Sequence, residues 1–403
     1  MKSDFSFKVT TRLPGRLGRT GVITTPHGQV KTPAFVAVGT HAEVKYLSPA
    51  DLRGIGVQAM LSNAYHLYRR AAELDAAGGL AAYSGWDGPT ITDSGGFQVM
   101  SLGSGMGKII SVSDQGRPRP HCRTTNEERL ARVSDEGVTF RHPVDGRVET
   151  FTPEVSMQTQ HQIGADIMMA FDELTGIDDD YQYNAEALER TRRWAQRCLL
   201  EHDKLAKERS GRPYQALYGV LQGAKFEDLR RKAARDLGGM GFDGFGLGGA
   251  FNKEQLVEIL QWCNAELPEN KPRHLLGLSR PDDIFIGSEH GVDTFDCVAP
   301  TREARHGRIY TLDGDINIRN SQFTTDSGLL DDGCDCATCQ AGHTRAEVRR
   351  LLKSTDPIER VKAFNLASIH NVRFIVRLVD DIRAAIDDGG FDEFRNNWLA
   401  RYY

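Results

Sequence analysis

Nowhere does the chain contain an apolar run approaching the ~20 residues needed to cross a bilayer. The N-terminus, Met1-Lys2-Ser3-Asp4, has no apolar signal region. Membrane insertion and secretion are therefore not expected, and the expected compartment is the cytoplasm. An excess of positive charge is also missing. Fifty Lys and Arg against 55 Asp and Glu leave a formal net charge of −5, so a nucleic-acid partner would have to be held by a local basic patch. Cysteine is scarce, with seven in 403 residues. An odd number in a chain without a secretion signal argues for thiols and metal ligands rather than a disulfide framework. No Gly-x-Gly-x-x-Gly follows the first buried-strand run, which weakens a doubly wound dinucleotide-binding sheet as the fold.

What is present is a regular alternation. Residues 6–32 read as a hairpin layer punctuated by Gly18, Gly21, Pro26-His27-Gly28 and Pro33. From Pro33 onward, short apolar runs recur, each with a polar or glycine-rich end and a helical stretch after it. They are Ala34–Val38, Ala59–Leu61, Pro89–Thr92, Asp166–Phe171, Ala216–Leu221, Gly244–Gly249, His274–Leu278 and Thr294–Val298. Between them, Leu188, Ala195, Leu199 and Leu205 mark one helical face, and Phe226, Leu229, Ala233 and Leu237 another. A third face, Leu256, Ile259, Leu260, Cys263 and Leu267, follows Asn252, a helix cap with Gln255 three residues on. Eight β/α units predict an α/β fold of the (β/α)8 TIM-barrel type, with its active site at the C-terminal ends of the strands.

Those ends carry unusual residues. The third strand ends in Asp93-Ser94-Gly95-Gly96-Phe97-Gln98, the fourth in Asp172-Glu173, the fifth in Gln222-Gly223, the sixth in Gly248-Gly249 and the eighth in Asp296. Asp296 stands between the strand formers Phe295 and Cys297, where an unpaired charge costs several kcal/mol unless a partner or a function holds it. It is a candidate nucleophile. Asp, Gln and a Gly backbone would pair with the N–H and carbonyl edges of a planar heterocycle while Phe97 lies on its face, which describes a purine-like pocket. Further carboxylates beside such a pocket suit glycosidic-bond chemistry.

A second constellation lies in residues 331–370. Cys334, Cys336 and Cys339 place three thiolates within six residues, and His343 or His370 would complete a tetrahedral zinc site. Spacing does not choose between the two. His343 lies on the loop itself, whereas His370 would project from a helix capped by Asp356, with Pro357 in its first position. With four protein ligands the zinc would be structural.

Taken together, Thr92-Asp93-Ser94-Gly95-Gly96-Phe97-Gln98-Val99, Asp166 to Glu173, Gly219-Val220-Leu221-Gln222-Gly223, Gly246-Leu247-Gly248-Gly249, Thr294-Phe295-Asp296-Cys297-Val298, Pro300-Thr301-Arg302 and the cysteine cluster with Ile369-His370-Asn371 resemble the tRNA-guanine transglycosylases. That family exchanges the wobble guanine, anticodon position 34, of GUN-anticodon tRNAs for a 7-deazaguanine base on the way to queuosine. The resemblance implies a pentosyltransferase, usually a homodimer, acting on the tRNA anticodon loop and on 7-aminomethyl-7-deazaguanine or queuine. It implies Asp296 as nucleophile on C1′, with a covalent Asp296–tRNA intermediate, and Asp93 as general acid/base. Phe97, Asp172, Gln222, Gly249 and Leu276 would form the base pocket. Arg302 and Arg305 would face the RNA. It selects Cys334, Cys336, Cys339 and His370 as ligands of one structural Zn2+ per chain. The domains it implies are a catalytic barrel with its hairpin layer at 1–325 and 371–403, and an inserted zinc-binding subdomain at 326–370.

The chain also departs from the family's bacterial pattern. Phe97, Leu174, Ala224 and Leu276 stand where Tyr, Cys, Gly and Met are usual. The stretch 101–136 reads as a long loop beside the mouth, and Lys353–Ile358 as an insertion at a helix–helix turn. After the paired glycines, the chain reads Ala250-Phe251-Asn252-Lys253-Glu254 where Leu-Ala-Val-Gly-Glu is usual, with two or three residues missing before the helix capped by Asn252, so Glu254 falls in that helix's first turn. Three rival readings are a catalytically silent RNA-binding subunit, a relative acting on DNA or elsewhere in tRNA, and a hydrolase built on Cys297. The first is disfavoured by the presence of both Asp93 and Asp296, the second by the complete motif set, and the third by the lack of a nearby histidine in the sequence.

Overall fold

The computed structural model describes residues 4–104, 131–142 and 145–403. Most of the long stretch 101–136 lies outside the described residues, and so does Cys122.

The hairpin layer is a three-stranded antiparallel sheet, β1 (Ser6–Arg12), β2 (Arg19–Thr25) and β3 (Gly28–Thr32). Eight parallel strands then close on themselves. Three of them are β4 (Ala34–Val38), β5 (Ala59–Ser62) and β6 (Thr90–Thr92). A small antiparallel sheet intervenes, made of β7 (Ala131–Val133), β8 (Val138–Arg141) and β9 (Val148–Phe151). The other five barrel strands are β10 (Ile167–Met169), β11 (Ala216–Leu221), β12 (Gly244–Leu247), β13 (Arg273–Leu275) and β14 (Thr294–Cys297). The barrel order is β4-β5-β6-β10-β11-β12-β13-β14, with β14 pairing back to β4. Each strand overlaps one of the eight apolar runs of the sequence.

These strands read as nearly continuous apolar runs because both faces are covered, by the interior on one side and by helices on the other. Val36, Ala59, Leu61, Ile91, Ile167, Met169 and Tyr218 fill one buried cluster, and Ile23 and Val30 of the hairpin layer join it, so the layer packs against the barrel's interior residues. Each large aliphatic or aromatic side chain buried this way contributes about 1.5–3 kcal/mol.

The helices follow the periodic faces. They include Tyr181–Glu208, capped by Asp180, and Glu227–Gly238. The Asn252–Gln255 capping box forms, but the first turn, Lys253–Gln255, is 3₁₀, and the helix proper is Leu256–Asn264. Near the C-terminus, Asp356 caps a long helix, Pro357–Asp387, with its carboxylate 2.9 Å from the Ile358 N–H. The turn expected to carry an insertion lies at Ser354–Asp356, between that helix and Arg345–Lys353. The division expected between 370 and 371 falls inside this one continuous helix. Among the described residues, no helix is long and apolar enough to cross a membrane.

Candidate active site

The ends of six barrel strands surround a cavity of about 180 Å³ lined by Asp93, Ser94, Phe97, Gln98, Asp172, Leu174, Gln222, Gly248, Gly249, Leu276, Gly277 and Asp296, among others. The three carboxylates, the amide, the ring and the glycine backbone singled out in the sequence therefore meet in one place. Just past the end of β10, two neighbouring side chains point opposite ways. Asp172 faces the cavity, while its neighbour Glu173 turns into the helical layer and is held by Arg190 and by the Tyr183 hydroxyl at 2.8 Å.

Asp93 stands just past the end of β6. It accepts hydrogen bonds from the N–H groups of Ala64 at 2.8 Å and Gly95 at 3.2 Å, and from the side chains of Asn63 and Gln98. Burial nevertheless dominates and pushes its pKa up to about 7, and the nearby Asp296 charge adds to the rise. Asp93 is thus able to exchange a proton near neutrality.

Asp172 accepts from Ser94 Oγ at 3.2 Å and from Gln222 Nε2 at 2.6 Å, and burial raises its pKa to about 6. Gln222 Oε1 has no hydrogen-bond partner among the described residues, so one buried acceptor is left at the cavity wall.

The Gly248–Gly249 turn is fixed from behind. The Arg230 guanidinium, fully buried, donates to the Gly248 carbonyl at 2.7 Å and to the Ala224 carbonyl at 2.7 Å, and it lies over the Phe251 ring. Gly249 has φ +112°, and a Cβ there would meet Arg230 Nη2 at 2.4 Å, so only glycine brings the backbone this close.

Asp296, in β14, accepts at Oδ1 from the Gly277 N–H at 3.0 Å and lies 3.0 Å from His274 Nε2. Its neighbour Cys297 is a poor candidate for the hydrolase reading. Burial pushes that thiol up to about 11, and its polar neighbours are the Ala299 N–H and Ser279 rather than an imidazole.

Arg302 and Arg305 sit on the next helix, Ala299–His306, outside the cavity lining. Arg302 is exposed, whereas Arg305 is half-buried with its guanidinium 6.0 Å from the Tyr46 ring.

The metal-type cluster is separate. Cys334, Cys336, Cys339 and His370 are all buried, with their donor atoms within 4.8 Å of one another. The three sulfurs lie 3.6, 3.4 and 3.5 Å from His370 Nδ1. His370 Nε2 is 2.7 Å from the Tyr310 carbonyl, which orients Nδ1 toward the sulfurs. His343 is engaged elsewhere, 2.8 Å from Glu347.

Reading the sequence missed His274, Asn63 and Arg230. A histidine at the start of an apolar run reads as a strand edge. The one available signal was a polar ring immediately before Leu275-Leu276 in a run otherwise apolar.

With this geometry in place, comparison with known proteins gives a consistent result. The family model described as "Queuine tRNA-ribosyltransferase" matches residues 15–403. The chain is similar to the queuine tRNA-ribosyltransferase of Pelotomaculum thermopropionicum, 40% identical over 402 residues, covering 98% of each chain. It is similar to that of Halothermothrix orenii, 40% identical over 404 residues, 99% of this chain and 98% of the relative. It also resembles a protein of Archaeoglobus fulgidus named putative queuine tRNA-ribosyltransferase, 40% identical over 402 residues, 95% and 96% of the two chains. The chain therefore belongs to the queuine tRNA-ribosyltransferase family.

Proposed function

We propose that this chain exchanges the wobble guanine, position 34, of GUN-anticodon tRNAs for a 7-deazaguanine base by double displacement. The observation that carries the reading is a single cavity with Asp296 and Asp93 on one side and Asp172, Gln222 and the Gly248–Gly249 backbone on the other. An anticodon-loop base leaves its stack at little cost, which brings C1′ within reach of a carboxylate. Asp296 forms the C1′–O bond as the C1′–N9 bond to guanine breaks, and Asp93 gives its proton to the leaving base. The incoming base then loses its N9 proton to Asp93 and displaces Asp296. Two inversions restore the anomer.

Asp172, Gln222 and Gly249 hold the base edge, Phe97 and Leu276 pack on it, and Arg302 and Arg305 meet the RNA. The decisive test is incubation with labelled guanine and either unmodified tRNA or duplex DNA. Label in tRNA alone is expected, and label in DNA alone would overturn the reading.

The cysteine–histidine cluster holds one structural zinc. Zinc bonds of about 2.3 Å to sulfur and 2.0–2.1 Å to nitrogen at tetrahedral angles require sulfur–nitrogen edges of about 3.6 Å. The three observed distances lie within 0.2 Å of that value. The zinc would supply fold stability and take no part in the exchange.

Recognition of the 7-substituent is relaxed. Glu254 is exposed on the 3₁₀ turn and does not line the cavity, and Lys253 is tied to Asp282 and Asp283. No carboxylate from this segment meets a cationic aminomethyl group, so queuine and other 7-substituted bases become substrates. Comparing kcat/KM for the aminomethyl base, the cyano base and queuine on one tRNA decides the point. An aminomethyl preference above about 100-fold, or about 2.7 kcal/mol, would refute it.

A further inference from the structure

The two oxygens of Asp296 are not equivalent. Oδ1 is met by the Gly277 N–H at 3.0 Å and by His274 Nε2 at 3.0 Å. Gly277 supplies its N–H from a left-handed conformation, φ +77°, that other residues adopt at a cost. Asp296 otherwise faces the cavity. With Oδ1 occupied, Oδ2 is the oxygen left to reach a substrate.

His274 is fully buried and stands across from Thr294 in the pairing of β13 with β14. Its second nitrogen, Nδ1, lies 2.8 Å from Thr294 Oγ1. Thr294 and Asp296 are two residues apart on one strand and so present their side chains to the same face. The hydroxyl of Thr294 has a proton to donate to Nδ1, which leaves the ring proton on Nε2, where it meets Asp296 Oδ1. The barrel register thus assembles a chain of three groups, Thr294 to His274 to Asp296.

We propose that His274 is a positioning residue for the exchange. It is held by Thr294 in the Nε2–H tautomer and, with the Gly277 N–H, anchors Oδ1 of Asp296, so that Oδ2 attacks C1′. The proposal rests on the reading of Asp296 as nucleophile. In the first displacement the C1′–Oδ2 bond forms as the C1′–N9 bond breaks, and Oδ1 becomes the carbonyl oxygen of the ester. In the second, the C1′–Oδ2 bond breaks and its electron pair returns to the carboxylate. The two fixed donors on Oδ1 are then placed where negative charge reappears, an arrangement of the oxyanion-hole kind. A neutral imidazole does this without cancelling the charge that makes Asp296 a nucleophile. His274 therefore favours departure of the enzyme carboxylate as well as its aim.

The test is steady-state and single-turnover exchange with labelled guanine for His274→Phe, His274→Gln and Thr294→Val, alongside Asp296→Asn. Loss of one donor to a charged oxygen at a reacting centre slows the rate by about 10- to 100-fold. His274→Phe is expected to lower kcat by that factor with KM for tRNA and for the base unchanged, and to accumulate more enzyme–RNA adduct at steady state. His274→Gln, whose amide is a donor, regains most of the loss. Thr294→Val keeps the volume and lowers kcat by about 3- to 10-fold through the tautomer, which decides the matter if His274→Phe does not fold. Wild-type kcat in Thr294→Val and His274→Phe, or a change confined to KM, overturns the proposal and leaves the nucleophile reading intact. Exchange by Asp296→Asn overturns both.

Discussion

The mouth of the barrel and the cysteine–histidine cluster are both gatherings of ionisable side chains, and they are built in opposite ways. The mouth draws its groups from strand ends spread from Asp93 to Asp296, and aims them at a cavity that stays open. Its carboxylates are buried with no Lys or Arg partner among the described residues, and two of them are pushed up toward neutrality. The cluster takes three donors from Cys334–Cys339 and a fourth from one helix, and turns every donor inward. An open set of under-compensated charges destabilises the fold and is useful for reaction, whereas a closed set of matched ligands is useful for stability.

Substitutions should separate the two regions cleanly. The largest effect on activity is expected from Asp296→Asn and Asp296→Ala, which abolish exchange, a loss of at least about 10⁴-fold. Both should still bind tRNA, because phosphate contacts belong to other residues. A denaturant-resistant adduct with tRNA is expected for the wild type and absent in Asp296→Ala. An active Asp296→Ala beside a dead Cys297→Ala would transfer the nucleophile role to the thiol.

The cluster should respond in the opposite sense. Cys336→Ser and His370→Ala are expected to lose one zinc per chain, measured by metal analysis, together with several kcal/mol of stability in denaturant titration. His343→Ala, whose ring pairs with Glu347 at the surface, should be almost silent. Exchanging the behaviour of the two histidines would break the comparison at its closed end.

The smallest effect sharpens the contrast through pH. Asp93 has a folded pKa of about 7 against an ordinary 3.8, so between those values the folded state binds more protons than the unfolded one. Stability from this group is complete below about pH 4 and is lost as pH rises through 7, by at most about 1.4 kcal/mol per pH unit. Asp172, raised to about 6, acts in the same direction over a narrower window. Asp93→Asn should therefore gain stability relative to the wild type as pH rises from 4 to 8. A pH-independent difference would mean that the carboxyl is not buried as described.

Much of this architecture was legible because its signals are local. The eight runs from Ala34–Val38 to Thr294–Val298 could be read one by one, since a strand covered on both faces must be apolar along its length. Caps such as Asn252 and Asp356 mark helix starts because a helix's first N–H groups need an acceptor close in sequence. The 3₁₀ turn at Lys253–Gln255 was not legible, since the same capping box serves either kind of turn. At the site, the residue types at strand ends were enough to name Asp93, Asp172, Gln222, Gly249 and Asp296 as a group.

The sequence by itself thus determined the succession of strands and helices, the polar residues at the strand ends, and the three clustered thiols. These depend on neighbours within a few positions along the chain. Tertiary structure alone decided which groups meet. It brought His370 rather than His343 to the sulfurs, turned Glu173 away from the cavity while Asp172 entered it, set Arg230 behind Gly249, and laid His274 against Asp296. It also placed Asp93 in surroundings that hold its proton near neutrality. The physical reason is that desolvation, strand register and hydrogen bonds between strand ends arise only when the barrel closes, and residues two hundred positions apart come to share one cavity.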